Sequence, residues 1–164
     1  MNQEPSPWAP GAGVRLREEY IHGLKCYRER NWSGALPFFR CADERADPHD
    51  VHRNRYTSYH GLVRVYMGDV AGINLCRQAT VDEQNDADVF HNLALAELRQ
   101  SNRRGAFLAV SEGLSIMPAH RGLKRIREKM GVRRRPLLAF LHRDNFLNRY
   151  LGKLTYRTAG KRRT

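Results

Sequence analysis

VFHNLALAELRQSNRRGAFLAVSEGLSIMP, residues 89–118, decides how the chain is read. Its apolar residues recur at helical spacing: Phe90, Leu93 and Ala94 share one face of a first segment, and Ala106, Val110 and Gly113 share a face of a second. Between them RQSN, residues 99–102, is short and polar, and Asn102 offers a side-chain oxygen that can accept a first-turn N–H. Pro118 closes the second segment, because its ring cannot continue a helix. The stretch predicts two helices joined by a tight turn.

Working outward, the same layout occurs twice upstream. YIHGLKCYRERNWSGALPFFRCADERADP, residues 20–48, carries Tyr20, Gly23, Tyr27, Trp32, Ala35, Phe39, Ala42 and Pro48, with its turn at RERN and a cap at Asn31 or Ser33. YHGLVRVYMGDVAGINLCRQA, residues 59–79, carries Gly61, Gly72 and Ala79, with its turn at MGD and a cap at Asp69. Small residues in the first helices fall at Gly23, Gly61 and Ala94, spaced 38 and 33 apart; those late in the second helices fall at Ala42, Ala79 and Gly113, spaced 37 and 34 apart. A period near 34 residues is the mark of a helical solenoid, and no strict alternation points to strands. The expectation is an all-α chain.

These residues resemble the tetratricopeptide repeat (TPR) family. The unit at 89–118 matches without an insertion, the first nearly so, and the second is shorter by one residue between its small positions and lacks a terminating proline. The resemblance implies a right-handed superhelical stack of three TPR-like helix hairpins, over about residues 14–50, 51–86 and 87–120, whose first helices line a concave groove. The positions matching that lining are Tyr20, Leu24, Tyr27 and Arg28; Arg55, Leu62 and Tyr66; and His91, Leu95 and Arg99. The resemblance makes them exposed positions, about half of which are expected simply to pack against neighbours, and tyrosine and arginine suit a groove for a protein or peptide, acidic or amphipathic. Apart from Asn92, the paired lysines and asparagines by which some relatives clamp chaperone tails are missing. Three-repeat secretion-type chaperones are similar in architecture, though the basic tail counts against that role.

Charge divides the chain sharply. Of 29 Lys/Arg, 15 lie in residues 121–164 against only Glu128 and Asp144, so this quarter carries the whole net charge of +12. HRGLKRIREKM, residues 120–130, places Leu123, Ile126 and Met130 on one face with cations opposite, and Gly131 ends it: an amphipathic helix over 121–131 that caps the last hairpin. Residues 132–164 read as a basic, partly helical C-terminal extension bearing Arg133, Arg134, Arg135, Arg143, Arg149, Lys153 and Arg157, with Asp144 as a helix cap and apolar residues such as Phe140, Leu147 and Leu151. That extension has three readings: packing on the array, in its groove or onto a second copy as a homodimer; binding nucleic acid; or attaching to an anionic membrane.

The remaining composition excludes more than it proposes. Residues 1–13, with three prolines and no apolar run, read as a flexible leader rather than a secretory signal, and no stretch approaches the roughly 20 apolar residues of a membrane span. Cys26, Cys41 and Cys76 are scattered and odd in number, against a disulfide framework or zinc site, so the reading is a cytoplasmic protein with reduced thiols. His49, Asp50 and His52 in DPHDVH are locally dense but fall in a connection without metal-ligand spacing. No nucleophile elbow, phosphate loop or dinucleotide fingerprint occurs, and GDVAG, residues 68–72, reads as a turn. Asp82, Glu83, Asp86 and Asp88 are expected to solvate a connection and favour the next helix N-terminus. The reading is a non-enzymatic protein-interaction module with no cofactor or metal; its alternative is an adaptor whose basic tail docks on nucleic acid or a membrane.

Overall fold

The computed structural model describes residues 17–131 except residue 82. The leader at 1–13, the extension at 132–164, and Arg133, Arg134, Arg135, Arg143, Arg149, Lys153 and Arg157 with it, lie outside the described residues.

Seven helices and no strand occur among the described residues: α1 (Glu18–Arg28), α2 (Trp32–Glu44), α3 (Arg53–Tyr66), α4 (Gly72–Thr80), α5 (Ala87–Arg99), α6 (Arg103–Ile116) and α7 (Arg121–Met130). Consecutive helices pair as α1 with α2, α3 with α4, and α5 with α6; α3 also packs on α2 and α5, α4 on α5, and α7 on α6 and α5.

The three turns within the hairpins share one conformation. After the last helical turn, Arg30, Gly68 and Ser101 each take a left-handed backbone, with φ of 59°, 94° and 60°. The residue that follows donates its N–H back five positions: Asn31 to Cys26 at 2.9 Å, Asp69 to Arg64 at 3.0 Å and Asn102 to Glu97 at 2.9 Å. This is the Schellman closure, which satisfies carbonyls left open at a helix C-terminus. The turns recur at spacings of 38 and 33 residues, matching Gly23, Gly61 and Ala94.

In the outer two hairpins, the asparagine after the left-handed residue also starts the next helix. Asn31 accepts from the Gly34 N–H at 2.9 Å, and Asn102 from Gly105 at 3.1 Å. The middle hairpin departs from the sequence reading here. Asp69 accepts from Ala71 at 3.0 Å and α4 begins only at Gly72, so Asp69 shapes the turn rather than capping the helix.

Small residues set how closely the paired helices approach. A Cβ on Gly61 would lie 2.5 Å from the Gly72 carbonyl oxygen, and one on Gly72 would lie 2.5 Å from the Gly61 carbonyl oxygen. The middle hairpin, weakest as a sequence match, therefore crosses backbone against backbone. In α1 a Cβ on Gly23 would instead meet the Phe39 ring at 2.8 Å.

The packed interior has two parts. Tyr20, Ala35, Phe39, Ala42, Tyr56 and Val63 form one between α1, α2 and α3, with Tyr27, Trp32 and Tyr59 against it. Leu62, Val65, Ile73, Cys76, Leu93, Val110, Leu123 and Ile126 belong to the other, which runs from α3 to α7. Leu123 and Ile126 are the inward face of α7, and Gly131 ends that helix at φ of 70°.

Candidate partner-binding face

The ten positions expected to line a groove do not share one environment. Tyr20 and Leu62 are corrected: both are buried, at 2% and 0% exposure. Tyr20 is walled in by aromatic rings, with centroids 5.7 Å to Phe39, 5.2 Å to Tyr56 and 5.5 Å to Tyr59. Leu62 is interior to the aliphatic part of the core. Leu24, Tyr27, Tyr66, His91 and Leu95 are half-buried, while Arg28 and Arg99 are exposed and form no ion pair among the described residues.

Tyr27 and Tyr66 come together at the C-terminal ends of α1 and α3. Their rings stack at 6.3 Å, and Trp32 closes on both, at 5.2 Å from Tyr27 and 4.7 Å from Tyr66. Burial pushes both phenols above their ordinary range, and Arg99 lies near enough to Tyr66 to oppose that rise. Tyr59, half-buried with its ring 5.3 Å from Tyr27, is pushed up to about 12 by loss of solvent. These phenols are therefore neutral hydrogen-bonding groups on an aromatic wall, with the Arg99 cation near Tyr66.

Arg55 is already engaged. Its Nε donates to Asp86 Oδ2 at 2.6 Å and its Nη2 lies 3.6 Å from Asp88 Oδ2, so the hydrogen bond to Asp86 holds its pKa above even the usual guanidinium value. Asp88 is in turn held by His120, whose Nε2 lies 2.9 Å from Oδ1. The other ring nitrogen, Nδ1, accepts the Leu123 N–H at 3.1 Å and caps α7. Because Nδ1 accepts, the proton sits on Nε2, which donates to Asp88. A chain of contacts thus joins the N-terminal ends of α3, α5 and α7. His91 sits beside it, 5.4 Å from the His120 ring, and burial followed by that neighbour lowers its pKa.

The acidic connection does more than meet solvent. Glu83 accepts the N–H groups of Asn85 and Asp86 at 2.8 and 2.9 Å, and Asp86 caps α5 through the Asp88 N–H at 2.9 Å. In DPHDVH, Asp47 and Asp50 each accept the N–H two residues on, at 2.8 Å, which orders the connection.

Three buried polar arrangements escaped the sequence reading. Glu97, 4% exposed, accepts from Arg77 at 2.9 Å and from Asn102 Nδ2 at 2.7 Å, tying α4 to the α5–α6 turn. Its signal was a lone carboxylate in the apolar run NLALAEL. Asp43 of α2 accepts from Thr57 at 2.5 Å and contacts His60 Nδ1 at 2.8 Å, one turn apart on α3. Asn92 donates to Ser58 Oγ at 3.0 Å while Cys76 donates to the Ser58 carbonyl at 3.4 Å, joining α3, α4 and α5. Burial pushes the Cys76 thiol up to about 12, so it is an inert core group.

A cleft of about 580 Å³ lies elsewhere, lined by Asp43, Asp50, Arg53, Asn54 and Gln78 among others, and none of the ten groove positions borders it. Among the described residues no group of three or more His, Cys, Asp or Glu side chains is placed to hold a metal ion, and no helix is long and apolar enough to cross a membrane. No protein-family model matches the chain, and no curated protein or solved structure matches it either.

Proposed function

We propose that the chain is a non-enzymatic protein-interaction module, a right-handed superhelical stack of three TPR-like hairpins closed by α7, which holds a partner segment along its first helices. The architecture is supported by the threefold recurrence of one turn, with left-handed residues at Arg30, Gly68 and Ser101, and by the packing of α3 on α5. The observation that carries the binding role is the half-buried pair Tyr27 and Tyr66, stacked at 6.3 Å, with Arg28 exposed at the end of α1 and Arg99 exposed at the end of α5. Neutral aromatic area flanked by unpaired cations fits an extended or amphipathic segment bearing acidic residues. The site is narrower than ten residues, because Arg55 is neutralised by Asp86 and Asp88.

The test is capture from the native host, with partners identified by mass spectrometry. The Arg28→Glu/Arg99→Glu chain should lose the captured partner while keeping the helicity of the parent. Equal capture by both would remove this face from consideration.

A further inference from the structure

The geometry points to the solvent face of α7 as a docking site for the phosphate backbone of double-helical nucleic acid. This goes beyond the partner groove and stands on different residues. Arg121, Lys124, Arg125, Arg127 and Lys129 are all exposed and make no ion pair among the described residues; Glu128 is the only acid on the helix. At about 100° per residue Arg121, Lys124 and Arg125 occupy the side opposite Leu123 and Ile126, with Glu128 among them, while Arg127 and Lys129 lie on its flanks, along a rod about 15 Å long.

What the apolar residues of α7 do decides between anionic partners. Leu123 and Ile126 are buried, at 0% and 6%, and a Cβ on Gly113 would touch Leu123 at 2.6 Å. An interfacial membrane helix must sink its apolar face into lipid, and here that face is spent on the core. Only electrostatic contact is left, which favours the partner with the densest fixed charge: a duplex presents one negative charge per roughly 1.7 Å of axis. Single strands are held largely by stacking on aromatic side chains, and α7 has none. The carbonyl end of the helix, which would repel phosphate, is covered as well, since Arg103 Nη2 donates to the Met130 carbonyl at 2.7 Å.

The test uses the full chain and a short fluorescent DNA duplex of mixed sequence, titrated from about 50 to about 200 mM salt. Residues 132–164 stay in every variant, so their ten Lys/Arg are common to all. Arg121→Gln/Lys124→Gln/Arg125→Gln should lower the slope of log K against log salt by about 2–3 and weaken binding on the order of a hundredfold at about 0.1 M salt. Arg40→Gln on α2 combined with Arg45→Gln just beyond it should change the slope by less than about 1. Should the triple variant lose helicity, Lys124→Gln and Arg125→Gln singly should each lower the slope by about 0.9. An unchanged slope in the α7 variants overturns the proposal. So does failure of the parent to bind duplex, and so does α7-dependent binding to phosphatidylserine vesicles without binding to duplex.

Discussion

The two ends of the described fold achieve close packing by opposite means. Between α1, α2 and α3, rings fill the space: Tyr20, Tyr27, Trp32, Phe39, Tyr56 and Tyr59 meet edge or tilt, with centroids such as 5.2 Å for Tyr20–Tyr56 and 5.1 Å for Phe39–Tyr59. From α3 to α7 the interior is leucine, valine, isoleucine and alanine, and the α3–α4 pair touches backbone to backbone at Gly61 and Gly72. A contact made by side chains can be redesigned by changing the side chains. A contact made by backbone cannot, so the same small-residue position has different tolerance in different hairpins.

That difference can be broken at its strictest point first. Gly61→Val places a Cβ 2.5 Å from the Gly72 carbonyl oxygen and 2.9 Å from the Cys76 nitrogen, neither of which can rotate away. It should cost at least about 3 kcal/mol and abolish the cooperative urea transition. Gly23→Ala, whose obstacle is the Phe39 ring at 2.8 Å, should cost about 1–3 kcal/mol and recover part of this when combined with Phe39→Leu. Gly61→Ala with Cys76→Ala should show no such recovery, measured as the coupling in a double-mutant cycle.

The turns offer a smaller and opposite effect. Arg30 and Ser101 hold the left-handed conformation without the freedom of glycine that Gly68 enjoys. Arg30→Gly and Ser101→Gly should each raise stability by about 1 kcal/mol, and Gly68→Ala should lower it by a similar amount, read from denaturation midpoints. Parallel effects at both substituted turns would sharpen the case that these are copies of one structure.

The smallest effect concerns pH. The His91 pKa is lowered in the fold by burial and by neighbouring His120, with Asp88 opposing. The unfolded chain therefore binds the proton more readily. His91 should contribute nothing unfavourable above its ordinary pKa of about 6.5, and stability should fall as pH drops from there through the lowered folded value. His91→Gln should flatten the thermal midpoint between about pH 7 and about pH 5 relative to the parent. An unchanged slope would mean that the ring is hydrated.

Much of the fold could be read from local signals, and the site much less so. Asn31 and Asn102 announce their helices because a capping oxygen acts on its own next turn, and Leu123, Ile126 and Met130 announce a buried face by spacing alone. The second hairpin was faint in sequence because its close approach rests on two glycines, which give no apolar signal. Tyr20 and Leu62 were misjudged because exposure depends on what other helices bring: Tyr56 and Tyr59 lie more than thirty residues from Tyr20. For the same reason Arg55 read as a free cation, although its partners are Asp86 and Asp88 on the next hairpin.

The contacts from Arg55 through Asp86 and Asp88 to His120 bear on how the molecule moves. They bind the N-terminal ends of α3 and α5 and the start of α7 along one edge. At the opposite ends Glu97 of α5 is held by Arg77 and Asn102, and the Met130 carbonyl of α7 by Arg103, but no charged contact among the described residues joins α3 to α5 there. Sliding along the helix axes would break these bonds, whereas tilting about them would keep every one. The cheap deformation is therefore a fanning, like pages about a bound spine, and it would widen the space near Tyr66 and Arg99 first.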